Sequence, residues 1–129
     1  MSYYISTIVK GSFDEIEARV RSLLQEQGFG ILTEIDVSAT LKKKLDVNFK
    51  PYKILGACNP PFAYKALQAE DKVGTMLPCN VIMQLTDKDK IEVAAIDPVA
   101  SMQAINNPDL NTIAEEIKNK LKTVISSLK

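Results

Sequence analysis

Both cysteines of the chain, Cys58 and Cys79, stand directly before an asparagine, in "ACNPP" (57–61) and "PCN" (78–80). A thiol at a strand end, just ahead of a helix N-terminus, meets backbone N–H groups and a helix dipole that favour the thiolate. Cys58 is expected in such a place, which makes it the candidate nucleophile, with Asn59 or Asn80 able to donate hydrogen bonds to an oxyanion. The plainer alternative is that Cys58 is a small buried hydrophobe and Asn59 a helix cap. Asn80 lies in an otherwise apolar strand, so its amide must brace a neighbouring loop or reach a ligand. The candidate ligand-binding set is therefore Cys58, Asn59, Cys79 and Asn80.

The chain has no histidine. That removes Ser-His and Cys-His nucleophile pairs and the commonest metal ligand together. Two cysteines fall short of the four ligands of a structural zinc site, and their spacing is neither a zinc-finger pattern nor the Cys-x-x-Cys of disulfide exchange. The residues assign no metal and no cofactor.

Sixteen acidic side chains balance sixteen basic ones, so no long-range field steers the molecule toward nucleic acid or an anionic membrane. Lys42, Lys43, Lys44, Lys50 and Lys53, with Phe49 and Tyr52 among them, read as a solvated helix face and loop because Glu34, Asp36 and Asp46 lie close in sequence. No signal peptide or membrane-spanning run is visible, and the expected location is cytoplasmic, where thiols stay reduced. At 129 residues the whole chain, 1–129, is expected to form one domain.

The elements that must position these residues follow from periodicity. "YYISTIV" (3–9) reads as a strand. Ser12 then caps a helix whose stripe of Phe13, Ile16, Val20, Leu23 and Leu24 ends at Gly28. Period-two alternation from Phe29 predicts a strand with Ile31, Thr33, Ile35 and Val37 on its buried side. "SATLKKKL" (38–45) is a short helix capped by Ser38, and "YKILGAC" (52–58) a strand leading into a helix capped by Asn59 with Pro60 first. "MLPCNVIMQLT" (76–86) and "IEVAAI" (91–96) form a hairpin. An irregular stretch after Asp97-Pro98 precedes a long final helix capped by Asn107. Asp97 is read as a turn former and not as a general base.

The order βαβαβαββα predicts an α+β domain with a mixed sheet of about five strands and the longer helices on one face. The other face mixes apolar and polar residues, among them Ile82, Gln84, Glu92, Ala94 and Ile96. Such a face is suited to a second copy of the chain or to a ligand cleft. Whether the strands holding Cys58 and Cys79 run parallel, about 20 Å of strand apart, or antiparallel with both at one sheet end stays open, the intervening helix mildly favouring parallel.

The segments "GFGILTEIDVSATLKKKL" (28–45), "YKILGACNPPFAYKAL" (52–67), "LPCNVIM" (77–83) and "AIDP" (95–98) resemble small bacterial and archaeal proteins catalogued as domain of unknown function 302. That resemblance covers nearly the whole chain. It implies a small α+β domain that is dimeric in crystals, and no activity, cofactor or catalytic residue. The residues themselves point to a small soluble, non-enzymatic ligand-binding or sensing domain, expected as a homodimer, with a small-molecule pocket near the two Cys-Asn segments. Two alternatives stand beside it: a thiol-dependent enzyme using Cys58, and a protein-interaction module acting through the open sheet face.

Overall fold

The computed structural model describes residues 2–129. β1 (Tyr4–Lys10) leads into α1 (Phe13–Glu26), where the Ser12 side chain accepts a hydrogen bond from the Glu15 N–H at 3.2 Å. β2 (Gly30–Asp36) and α2 (Val37–Leu45) follow. The cap of α2 is Asp36, whose carboxylate accepts from the Ala39 N–H and the Ser38 hydroxyl, so the expected cap at Ser38 is displaced by two residues. A carboxylate there favours the helix dipole more than a hydroxyl does.

β3 (Tyr52–Cys58) runs into α3 (Pro60–Ala69) and a 3₁₀ turn (Asp71–Met76), and β4 (Cys79–Asp87) and β5 (Lys90–Ile96) form the expected hairpin. The stretch after Asp97 contains a one-turn helix, α4 (Pro98–Ser101), which the irregular reading missed. Asp97 nucleates it by accepting from the Val99 and Ala100 N–H groups, and its other oxygen pairs with Lys118 Nζ at 3.1 Å. α5 (Pro108–Ser127) closes the chain.

The sheet order is β1-β5-β4-β3-β2 and every pairing is antiparallel. The sheet is therefore not mixed, although the α+β class, the element order and the one-sided helices agree with expectation. The difference lies in α3, which packs on α5 and the 3₁₀ turn instead of returning along the sheet. The chain consequently re-enters at the end it left, and Ala57 pairs with Cys79.

α1 and α5 bury their stripes against Val81, Met83, Ile91, Val93 and Ala95, the inward set of the hairpin. Fully burying each of the four larger side chains, Val81, Met83, Ile91 and Val93, contributes on the order of 1.5–3 kcal/mol. A second, smaller cluster of Ala66, Val73 and Leu110, with Met102 and Ile113 against it, forms under α3 and the start of α5. Among the described residues no helix is long and apolar enough to cross a membrane.

β2 breaks the simple alternation. A bulge between Ile31 and Thr33 leaves Leu32 outside the ladder, at 65% exposure. Ile31 still packs on the core, but Thr33 pairs with Gly56 and Ile35 with Ile54 on the open face, while Glu34 pairs with Leu55 on the helix side. One inserted residue reverses every later side chain. Thr33, Ile35 and Val37 are thus not an inward set, and Glu34 sits under α1 beside Arg21 and Lys53. Lys53 in turn is no solvated lysine: it bonds Glu17 at 2.8 Å.

Candidate functional site

The two hydrophobic clusters do not merge. Between them, at the sheet end where β3 and β4 meet α3, α4 and α5, lies a cavity of about 260 Å³. Ala57, Cys79 and Ile117 line it from the main core, and Ala66, Met102 and Ile113 from the smaller cluster. Leu32 and Leu67, both exposed, also line it. No charged side chain does so.

Three of the four residues singled out from sequence, Cys58, Asn59 and Cys79, line this cavity. Antiparallel pairing brings the two cysteines to one sheet end, and both are free. Asn80 is not with them. Strand alternation turns it to the opposite face, where it is exposed opposite Gly56. It neither braces the cavity nor shares it with Cys58, so an oxyanion donor from Asn80 to Cys58 is not assembled.

Asn59 occupies the cap position of α3 without capping it. Its side chain is buried, at 7% exposure, and its Nδ2 donates to the Gln27 carbonyl at the end of α1, 3.1 Å away. Gly28, with φ +86°, lies against that amide: a Cβ there would come within 3.2 Å of Nδ2. The other end of α3 is held by Asn107, whose Nδ2 donates to the Ala69 carbonyl at 2.8 Å while its Oδ1 accepts from the Asp109 N–H. Two asparagines thus tie both ends of the helix that lines the cavity to α1 and α5.

Pro60 and Pro61 open α3, so the first turn lacks two of the N–H groups that would otherwise face an anion. The Ala63 N–H already bonds the Asn59 carbonyl at 2.9 Å. The thiolate-stabilising end foreseen for Cys58 is therefore poor in donors. Burial pushes the Cys79 thiol up to about 11, and the neighbouring Cys58 adds to that shift. Near neutral pH Cys79 is a neutral thiol. Among the described residues no group of three or more Cys, Asp or Glu side chains stands together as a metal site.

Sequence reading missed the contribution of Leu77, Pro78, Met102 and Ile113 to the cavity. Their hydrophobicity was visible, but hydrophobicity alone does not distinguish a filled core from one that leaves a gap.

An antiparallel five-stranded sheet, helices on one face and an apolar cavity at one sheet end define a small α+β domain. The chain belongs to the DUF302 family, described as a domain of unknown function, whose model matches residues 5–128. It is similar to the crystal structure of an uncharacterized conserved DUF302 protein from Bacillus stearothermophilus, with 25% sequence identity, 100% of both chains covered and a TM-score of 0.92. No curated protein matches the chain.

Proposed function

We propose that the domain is a non-enzymatic binding or sensing module whose ligand is a small, uncharged, largely apolar molecule held in the cavity between the two clusters. The observation that carries this is the lining: a space of about 260 Å³ with no charged side chain and, besides the two thiols, one polar side chain, Asn59, whose amide nitrogen already bonds the Gln27 carbonyl. An apolar cavity of roughly 150 Å³ accepts benzene, and drug-sized sites begin near about 300 Å³. A single aromatic ring with a short substituent, or a short aliphatic chain, matches the space between those limits. Polar ligands find few partners there, and an ion would lose its hydration without compensation.

The thiol-dependent alternative has less support. Cys79 is protonated near neutral pH, Asn80 faces the other way, Asn59 is tied to Gln27, and no acidic or basic side chain lines the cavity to serve as a base.

Cys58, half-buried and part of the lining, provides the test. Its alkylation rate is measured with and without indole, toluene or hexanol, beside a ¹H–¹⁵N titration of the native protein. Binding in the cavity slows Cys58 modification and shifts the amides of α3 and β4. Ala63→Leu, which adds bulk at a half-buried lining position, weakens both effects while leaving the spectrum folded. If none of the three compounds slows Cys58 or moves those amides, the binding reading is wrong. Rapid alkylation of Cys58 below about pH 7, unaffected by any of them, restores the thiol enzyme as the leading case.

A further inference from the structure

The open face of the sheet carries a second concavity, of about 310 Å³, separate from the apolar cavity and of different chemistry. Its shape follows from the strand register. Ala94 and its partner Ile82 form the floor, and the floor is low because alanine fills so little of the space over β5. On one side stand Tyr3 and Tyr4, the latter paired with Ile96. On the other stand Asn80, two residues from Ile82 on β4, and Tyr52 beyond it on β3. Tyr4 on β1 pairs with Ile96, whereas Tyr52 on β3 pairs with Gln84 and through it with Glu92, four residues back along β5, so the two tyrosines stand at diagonally opposite ends of the concavity, about 20 Å apart between backbones.

Glu92 lies two residues along β5 from Ala94, on the same face, and lines this concavity. Its Oε1 accepts from Gln84 Nε2 at 2.7 Å. None of the ion pairs among the described residues includes Glu92, and no lysine or arginine lines the concavity. The described lining side chains therefore include one carboxylate, three phenol rings and one carboxamide. Tyr3 and Tyr4 meet edge to face, with centroids 5.0 Å apart and planes at 76°, which presents a corner of two nearly perpendicular rings.

We propose that this concavity binds a small organic monocation of the alkylammonium class. A cation is attracted to the negative face of an aromatic ring within about 6 Å of its centroid, and a corner of two rings offers two directions of approach. Glu92 supplies the countercharge. A carboxylate half-buried on an apolar floor gains from a weakly hydrated cation, which gives up its water at little cost, more than from a lysine that would need a long side chain held in place. A small anion meets only repulsion from Glu92. A neutral molecule of the same shape leaves the charge unanswered.

The test uses the full chain and tetramethylammonium chloride, with tert-butanol as the neutral molecule of similar shape and sodium chloride to hold ionic strength constant. ¹H–¹⁵N spectra follow residues 80, 82, 92, 94 and 96. The expected result is saturable shifts with tetramethylammonium and none with tert-butanol. Glu92→Gln and Tyr4→Leu each weaken binding roughly fivefold, whereas Tyr52→Phe, which keeps the ring, leaves it unchanged. All three positions lie on the open face, and circular dichroism checks that each variant is folded. Absent shifts, an equal response to tert-butanol, or full binding by Glu92→Gln overturns the proposal. Sedimentation velocity on the same samples covers the competing occupant: if Glu92→Gln or Tyr4→Leu changes the sedimentation coefficient at high protein concentration, the face is covered by a second copy and the cation site is rejected.

Discussion

Replacing Asn59 separates a tether from a cap. In the native protein Nδ2 donates to the Gln27 carbonyl at 3.1 Å across 32 positions of sequence, and the side chain does not bond the first turn of α3. Asn59→Ala removes one hydrogen bond and leaves a carbonyl without its partner, a loss of about 1–3 kcal/mol in a buried setting. Gln27 is half-buried, so water reaches part of that carbonyl, and the lower portion, about 1–2 kcal/mol, is expected. With an unfolding entropy of about 2.1 cal/mol/K per residue over 129 residues, each kcal/mol lowers Tm by about 4 °C, giving a fall of about 4–8 °C. Asn59→Ser keeps a good capping side chain but is too short to reach Gln27, and it should lose as much as Asn59→Ala.

Asn59→Asp adds a sign that pH can read. Its carboxylate faces a carbonyl oxygen with no donor between them, so its folded pKa is raised above the unfolded value of about 3.9. The electrostatic part of its deficit is absent below that pH, grows as pH rises, and is complete above the folded pKa. Urea denaturation of the native protein and all three variants, compared at each pH, measures these differences. A stable Asn59→Ser would show that Asn59 acts as a cap after all. An Asn59→Asp deficit that stays constant from acid to neutral pH would refute the contact with the Gln27 carbonyl.

Two further outcomes follow from the geometry. Burial raises the Glu17 carboxyl, but hydrogen bonds from Lys53 and Arg21 outweigh it and hold the pKa below its ordinary 4.5, so this cluster's stabilisation is present above about that pH and is lost as pH falls through the folded value. Glu17→Gln is therefore expected to flatten the acid limb of a plot of Tm against pH, and an unchanged limb would contradict the assignment. At Gly56 an added Cβ would run into the Thr33 side chain and come within 2.8 Å of Pro78 Cγ. Gly56→Ala should lose about 1–3 kcal/mol in urea denaturation, with part recovered by adding Thr33→Ala; an unaffected Gly56→Ala would show that the bulge and Pro78 give way easily.

The local elements were legible because each rests on neighbours in the chain. The β3 boundaries, the Ser12 cap, the Asn107-Pro108 start of α5 and the β4–β5 hairpin are set by short-range periodicity, capping groups and turn residues. The absence of histidine likewise limited the chemistry without any structure. Cys58, Asn59 and Cys79 were singled out by residue type and position, and they do line one cavity.

What the tertiary structure alone decided depends on contacts far apart in sequence. A bulge at Leu32 reversed the faces of β2, because alternation carries no mark of an inserted residue until the partner strand fixes the register. The direction of β4 depended on α3 packing against α5 instead of the sheet, which also brought the two cysteines to one end, whereas the outward facing of Asn80 follows from strand alternation alone. The cavity exists because two apolar clusters stop short of each other, and a sequence specifies how much hydrophobic volume it has but not where packing leaves it unfilled.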